Sequence, residues 1–552
     1  MHPACNKPDY FSHRPIPLWF GFLFLFLLEL IYNLNIRHLA GTNAIGMSAL
    51  NAALYTAILA LCLNCNLERI TIFYLALPYL LFLPGWLNTP TAILMTCIFL
   101  YCTFQTLKYT NNTISRIPLT TRELSAFCLI IAWINLSGSG GYGYQSWDYV
   151  MHNSRLNDLI QKSWPVHYGK DLNLIYYVGY YLPSAAIGKL FGYIAATRSM
   201  FFWTLLGATL ALRWAGQLSG WKLGTGLVIA CVFFGPMDAA GLAWEIYNAL
   251  PFPDSFTLQE ATNIILNDTD TLDFWASNSL GFFNGNFLSN TFQMYWAPQH
   301  IIPGWLVISI ITFYFLGNNT RNIVFIFCLL CLWSPLVMLS MAIFPLIAIL
   351  NARQEKNKEW LSISNTIGAT SITLLFIAFY FGGSAMKNHF AWTLSEIDNP
   401  IKLVTLLLFY LFAWGIYVSV IIKNHTIYNH QQKIWLAGLI TTMLLLPLYI
   451  YGEYSDLLCR GSAPIMFLLM TFLLHLIKEK RKSRPEKVII PILAFLLLGA
   501  GSTSALLQLH TSLKKYGENR PIIQVTEYKH APENLGSDNS FFARFFRGKV
   551  SQ

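Results

Sequence analysis

The sequence predicts an all-α polytopic membrane protein with about fifteen transmembrane helices. Its 552 residues are 55% hydrophobic and only 11% charged, whereas a soluble domain carries roughly 25% charged residues. Apolar runs of about 20 residues, the length that crosses a bilayer, recur along most of the chain. Lys and Arg are concentrated in short loops between these runs. These observations exclude a soluble single-domain enzyme.

The apolar runs divide around a long polar segment at 240–297, with seven before it and eight after it. The pair at 322–351 is short in each half and is broken at Ser334-Pro335, so we expect a tight hairpin with both ends on one side. The predicted spans lie near 17–34, 44–64, 70–86, 90–107, 122–138, 198–214, 222–238, 299–316, 322–335, 337–351, 365–383, 400–422, 434–451, 462–477 and 488–508.

One further apolar stretch, Leu172–Tyr193, contains Pro183 and Lys189. Counting it as a span would place the basic residues Arg213 and Lys222 outside. We therefore expect a juxtamembrane helix that lies in the membrane interface. Its tyrosines, which are typical of the headgroup level, are Tyr176, Tyr177, Tyr180 and Tyr181.

The formal charge of +10 predicts membrane orientation and not a nucleic-acid partner, because the Lys and Arg residues sit in short loops. With a cytoplasmic N-terminus, all of these loops fall in the cytoplasm. They lie around 108–122, 213–222, 353–358 and 478–487. The loop after 138, the segment 240–297, the loop 452–461 and the C-terminus then face outwards, which in a bacterial inner membrane means the periplasm.

The same pattern predicts four segments. Residues 1–121 form an N-terminal four-span bundle, and 122–316 form a central module with outer loops at 139–197 and 239–298. Residues 317–508 form a C-terminal transmembrane bundle, followed by an outer tail at 509–552. The tail carries an aromatic and basic patch at 541–547, which we expect to dock on the membrane surface or on the outer loops.

The first outer loop gathers Asp148, His152, Arg155 and Asp158. Charged groups are costly at a membrane surface unless they act there. In a helix, Asp148, His152 and Arg155 share one face, so an acid, an imidazole and a guanidinium converge. Asp148 can then serve as a general base and His152 can assist it. The alternative is a salt-bridged interfacial helix, a structural role that suits Asp158 best.

Three further regions carry polar groups on the predicted outer face. Asp238 ends the seventh span, either as a second acid or as a helix end that meets water. The stretch 289–300 joins amide donors to aromatic faces, which is typical of a sugar-binding wall, although an interfacial aromatic belt explains its rings equally well. Its candidate ligand-binding residues are Asn290, Trp296, Gln299 and His300.

Asp456 and Arg460 lie at the outer end of a later span. Arg presents a planar fork that matches a phosphate, so we predict substrate binding at this pair. The alternative is a local ion pair that closes the helix end. The chain contains no Walker loop and no HExxH or GxSxG motif, which argues against an ATP-driven pump.

With these residues placed, the chain resembles the GT-C superfamily of integral-membrane glycosyltransferases over about 123–305. Asp148 matches the acid of that family's first outer loop. The order of further elements is similar to protein mannosyltransferases and aminoarabinose transferases, at Pro183, Leu190–Gly192, Arg198, Arg213 and Asp238. A WxxQH-type element at Trp296–His300 and an LGSxxSFFxR-type element at Leu535–Arg544 resemble a group of uncharacterised bacterial membrane proteins.

The resemblance implies a GT-C-like fold with juxtamembrane helices in the first large outer loop. It implies transfer of a hexosyl or pentosyl group from a polyprenyl-phosphate donor to a lipid or polysaccharide acceptor. Asp148 would be the general base, Asp238 the second acid and Arg460 the ligand of the donor phosphate. Two departures are that four spans precede the loop and that the loop has a single clear Asp. Metal and cofactor use stay open, and a divalent ion is not required.

Two rival hypotheses remain. A polytopic transporter or a flippase for lipid-linked saccharides would use broken helices, and the Ser334-Pro335 break favours it. A noncatalytic GT-C-like scaffold within an envelope-polysaccharide assembly is the other. Because most predicted spans are free of charge and the polar groups collect on one face, the sequence favours an enzyme.

Overall fold

A computed structural model of the protein describes residues 15–35, 37, 41–110, 117–169, 172–237, 239–240, 286–383, 390–452, 455–480, 492, 495–496, 499–527 and 534–549. Helices dominate this part of the chain, which confirms the predicted all-α class. The first half contains α1 Leu18–Asn35, α2 Gly41–Asn64, α3 Leu67–Trp86, α4 Thr89–Lys108, α5 Thr121–Leu136, α6 Tyr149–Gln161, α7 Leu182–Phe191, α8 Tyr193–Ser219 and α9 Thr225–Phe233.

The second half continues with shorter helices. They are α10 Asn290–Trp296, α11 Pro298–Leu316, α12 Ile323–Cys328, α13 Leu330–Trp333, α14 Pro335–Ser340, α15 Ile343–Gln354, α16 Ala369–Tyr380, α17 Pro400–Tyr410, α18 Ile416–Lys423, α19 His430–Leu445, α20 Asp456–Lys480, α21 Thr503–Lys514 and α22 Phe541–Phe545. The π-helical turns Ser364–Gly368 and Leu411–Gly415 lead into α16 and α18. The strands are β1 Leu172–Leu174, β2 Phe390–Trp392, β3 Tyr449–Tyr451 and β4 Leu535–Ser537.

Eight helices in the described residues are long and apolar enough to cross a membrane, which indicates an integral membrane protein. The predicted number of about fifteen spans is not confirmed. Some predicted spans are shorter as helices, since α9 has nine residues and α5 has sixteen. The eight are α1, Asn43–Asn64 of α2, α3, α4, α8, α11, the continuous Pro400–Lys423, and α20.

The predicted hairpin at 322–351 is formed by α12 to α15. Ser334 ends the first half and caps the second, because its hydroxyl accepts the backbone N–H of Val337, and Pro335 occupies the first helical position. The Tyr79 hydroxyl donates to the carbonyl of Leu329 at 2.9 Å near the tip. At the other end Arg321 pairs with Glu359 at 3.2 Å. The two ends of the hairpin therefore lie together, as predicted.

The described residues of the basic loops, which exclude 111–116 and 481–487, are grouped at one end of the helices. Lys478 donates to the carbonyl of Gly220, and Arg321 lies 4.2 Å from the ring centre of Tyr109. Arg213 differs from its predicted loop position, because it is buried in α8 and donates to the carbonyl of Cys62. The buried core runs through all four predicted segments, from Leu25 in α1 to Phe542 in α22.

The opposite end gathers the described residues 137–169, 172–192, 286–300, 390–399, 446–452, 455–456, 501–527 and 534–549, which we call the loop face. The tail is part of it, because β4 pairs antiparallel with β1 and places Asn173 opposite Gly536. The backbone N–H of Asn88 also donates to the carbonyl of Phe546 at 2.7 Å. The aromatic patch of the tail thus docks on the chain itself, with Phe542 buried against Phe379.

The juxtamembrane stretch is a ten-residue helix, α7, which is too short to span. Leu190 and Phe191 at its end are exposed, as expected for an interfacial helix. The predicted headgroup position is wrong for Tyr176, Tyr180 and Tyr181, which are buried. They precede or start α7 and turn into the loop face, where polar partners are available.

Candidate functional site

The helix α6 sets the geometry of the site. It begins directly after Asp148, whose carbonyl accepts the backbone N–H of His152 at 3.1 Å. The chain reaches this point through a tight turn with left-handed glycines, including Gly138 at φ 79°. A Cβ on Gly138 would lie 2.4 Å from the carbonyl oxygen of Tyr144, so the turn excludes larger residues. Asp148, His152 and Arg155 consequently share one helical face.

Asp148 is brought against Arg460, which lies 312 residues away in the chain. The guanidinium Nη2 of Arg460 and Oδ2 of Asp148 are 3.3 Å apart, and the Asp148 side chain is 35% exposed. The carboxylate of Asp456, one turn before Arg460, adds a second electrostatic attraction. Two groups singled out separately in the sequence thus form one ion pair on the loop face.

The space for Asp456 depends on a glycine. Gly452 has φ 82°, and a Cβ there would lie 2.3 Å from Oδ2 of Asp456. The end of the preceding segment therefore accepts only glycine without moving the carboxylate. This close approach keeps Asp456 near the start of α20, beside Arg460.

Arg155 is a buried cation whose partners are neutral. Its guanidinium lies 3.6 Å from the ring centre of Tyr176 and donates from Nη2 to Oδ1 of Asn534 at 3.0 Å. Within the described residues its Nε has no hydrogen-bond partner. No carboxylate in the described part of the chain lies within ion-pair distance of it. Such a charge is costly unless an anion accompanies it.

His152 is held on both ring nitrogens. Nε2 lies 3.0 Å from the carbonyl oxygen of Trp296, and Nδ1 lies 2.5 Å from the Tyr181 hydroxyl. Because a carbonyl only accepts, Nε2 carries the proton and Nδ1 accepts from Tyr181. Burial lowers the pKa of His152 to about 4, against the opposing charge of Asp148. This geometry suits a positioning role for His152, and the proton transfer predicted for it stays a prediction.

His300 lies at the first turn of α11 and joins the hairpin tip to the site. Its Nδ1 is 2.6 Å from the hydroxyl of Ser334, and its ring centre is 4.8 Å from that of Tyr177. Tyr177 in turn contacts Tyr176, with ring centres 3.7 Å apart. A continuous aromatic path therefore connects His300 to the Tyr176 ring on which Arg155 lies.

Of the other residues predicted to bind sugar, some lie in the site and some hold the helices around it together. Gln299 is buried beside His300, and its Oε1 has no hydrogen-bond partner. Asn290 donates to the carbonyl of Cys231 and so holds α10 against α9. Trp296 stacks on Phe292 with ring centres 5.0 Å apart, so one face of its ring is covered. Among the described contacts, Trp296 touches the site with its backbone carbonyl, which accepts a hydrogen bond from His152.

Two acids of the sequence prediction remain, Asp238 and Asp158. Asp238 lies outside the described residues. Asp158 is buried and accepts a hydrogen bond from the Tyr168 hydroxyl at 2.8 Å. Burial raises the pKa of Asp158, which the hydrogen bond opposes. This contact suits the structural role that the sequence favours for Asp158, which stays a prediction. Among the residues with described positions, no group of three or more His, Cys, Asp or Glu is arranged to hold a metal ion.

The structure adds members that sequence reasoning missed. Tyr176, Tyr177 and Tyr181 contact Arg155, His300 and His152, yet the run Tyr176–Tyr181 carries only an apolar and interfacial signal. Asn534 reaches Arg155 from the C-terminal tail. No local pattern marks it, because the contact depends on the pairing of β4 with β1.

The neutral state of His152 predicts a pH dependence of stability. The pKa is about 6.5 in the unfolded chain and about 4 in the folded one, so the unfolded state takes up a proton first. The stabilisation from the neutral imidazole is therefore fully present above pH 6.5. The free energy of unfolding falls by about 2–3 kcal/mol as the pH decreases towards 4. In His152→Asn, the free energy of unfolding should not show this part of the decrease with falling pH. Exposed His425→Asn is the control, and parallel profiles for wild type and His152→Asn would contradict the assignment.

Because Arg155 has no ion-pair partner among the described residues, we expect that its charge can be removed without loss of stability. Arg155→Met keeps side-chain volume and removes the unpaired charge, so it should unfold at the same or a higher temperature than wild type. Polyprenyl phosphate should raise the unfolding temperature of wild type and not that of the variant. Arg544→Met, which changes an arginine of the tail, is the control. A variant that still gains stability from polyprenyl phosphate would refute anion binding by Arg155.

The chain matches no protein-family model, no curated protein and no solved structure. The resemblance to the GT-C superfamily therefore stays a prediction that depends on short motifs.

Proposed function

We propose that this chain is a GT-C-type membrane glycosyltransferase that uses a polyprenyl-phosphate sugar as donor and Asp148 as general base. The observation that carries the proposal is the Asp148–Arg460 ion pair in the same side-chain cluster as Arg155, which forms no ion pair with a described carboxylate. A general base and two guanidiniums are the groups that transfer from a phosphate-linked sugar requires. The acceptor is a lipid or polysaccharide hydroxyl.

The acceptor hydroxyl gives its proton to the Asp148 carboxylate while its oxygen forms a bond to the anomeric carbon. The bond between that carbon and the phosphate oxygen breaks, and the electron pair leaves with the phosphate. The products are the new glycoside, polyprenyl phosphate and a protonated Asp148, which then returns its proton to water. Arg155 and Arg460 stabilise the negative charge on the leaving phosphate.

The position of Asp148 supports its role. Oδ2 contacts Arg460, while Oδ1 makes no hydrogen bond within the described ranges and so is free to accept a proton. Its partial exposure lets an acceptor approach from water, whereas Arg155 is buried and suits a phosphate that enters from the lipid side. Gln299 and His300 lie beyond the tyrosines, where they can contact the sugar.

The orientation is part of the proposal. The grouped basic loops favour the cytoplasm by the positive-inside rule, which would place the loop face and the C-terminus in the periplasm of a bacterial inner membrane. The donor and acceptor would then meet at the periplasmic surface. Membrane lipids surround the exposed apolar residues of α1 and α7.

A second candidate is a transporter or flippase for lipid-linked saccharides. The observation in its favour is the broken hairpin, whose tip residue Ser334 contacts His300 in the site. A flippase moves its lipid without proton transfer to Asp148. Lipid translocation by Asp148→Asn in vesicles, with no transfer by wild type, would favour this candidate.

Asp148→Asn should reduce sugar transfer by about 10²- to 10⁴-fold, because the amide keeps the size of the side chain but cannot accept the proton. The measurement is polyprenyl phosphate released from a panel of hexosyl and pentosyl donors by the purified chain in vesicles. Asp398→Asn is the control, since Asp398 lies on the same face, pairs with Lys402 at 2.8 Å and accepts a hydrogen bond from Asn399. Full transfer by Asp148→Asn at normal expression would refute the proposed base.

A further inference from the structure

An exposed tryptophan precedes the proposed base. Trp147 is 60% exposed and lies next to Asp148 in the chain. Its backbone is fixed by the start of α6, since its carbonyl accepts the N–H of Val150 at 3.1 Å. A large apolar ring is thus held in the open at the entrance to the site.

One side of this ring is occupied by Arg520 from the tail, with the guanidinium carbon 4.5 Å from the ring centre. Arg520 is itself anchored. Its backbone N–H and Nε donate to Oε1 and the carbonyl of Gln145 at 2.8 and 3.0 Å, and its Nη2 donates to the Tyr144 hydroxyl at 3.0 Å. The Trp147 ring is therefore pre-positioned, which lowers the entropy lost on binding a ligand.

The surroundings distinguish Trp147 from a tryptophan that faces lipid. The carbonyl of Glu518 accepts the N–H of Gln145 at 3.0 Å, and the residues around it, 517–520, are Gly-Glu-Asn-Arg, the first three of which are exposed. By contrast Trp19, which is 66% exposed, lies among exposed Leu and Phe side chains of α1. The described neighbours of Trp147 are thus polar, whereas those of Trp19 are apolar.

We propose that Trp147 is a stacking platform for a sugar ring of the acceptor, a role that rests on the proposed function. A pyranose has an apolar C–H face and a rim of hydroxyls. Its C–H face packs on the negatively polarised face of the indole, while Arg520 and Asp148 contact the hydroxyls. Stacking beside Asp148 would present an acceptor hydroxyl to the base. The acceptor in this proposal is therefore a carbohydrate.

The test is saturation-transfer NMR on the full chain in nanodiscs, with disaccharides of glucose, galactose, mannose and N-acetylglucosamine as probes. Wild type should transfer saturation to the C–H protons of at least one disaccharide. Trp147→Ala should weaken that binding by about five- to tenfold, the effect of roughly 1 kcal/mol of lost stacking. Trp147→Phe, which keeps a flat ring, should retain most of it.

Trp392→Ala is the matched control, because Trp392 is 62% exposed on the same loop face and lies in β2. Equal binding by wild type and Trp147→Ala, or no disaccharide binding by wild type, would overturn the stacking platform. Two readouts separate the two proposals, since sugar transfer by Asp148→Asn tests the base and disaccharide binding by Trp147→Ala tests the subsite. If Asp148→Asn still transfers sugar while Trp147→Ala loses binding, the base assignment fails and the carbohydrate subsite stands.

Discussion

Burial of the Arg155 guanidinium among neutral side chains is the constraint on which the loop face depends. Several kcal/mol of hydration are lost when such an ion leaves water, and the Tyr176 ring and the Asn534 amide are among the neutral groups that replace it. Both must be held in place for the charge to remain buried. Tyr176 follows β1 and Asn534 precedes β4, so the pairing of these strands delivers both partners to one cation.

This constraint divides the site into a buried part, here called the dry side, and a solvent-exposed part, here called the wet side. On the dry side the imidazole of His152 stays neutral because it is buried, and it fixes the Trp296 backbone and the Tyr181 hydroxyl. On the wet side Asp148 keeps contact with solvent while it is paired with Arg460. An amphipathic substrate, with a lipid-borne phosphate and a sugar, has the same division of polarity. Three parts of the chain that are distant in sequence supply the two halves.

Sequence periodicity and charge predicted a useful part of this arrangement. The helical register of Asp148, His152 and Arg155 follows from their spacing, and the shared face of Asp148, His300 and Arg460 follows from counting spans. The tyrosines after β1 could not be placed, because a hydropathy pattern does not distinguish a ring at the headgroups from one packed on a buried cation. The contribution of the tail was also unpredictable, since a three-residue ladder between β1 and β4 carries no local signal.

The central claim is that Arg155 and Arg460 together receive a lipid-linked phosphate. The most direct measurement is an experimental structure of the full chain in nanodiscs with polyprenyl phosphate bound. The account predicts the phosphate between the two guanidiniums, with one oxygen within hydrogen-bond distance of the Arg155 Nε. A phosphate bound at the basic loops of the opposite end, with Arg155 still unpaired, would contradict it.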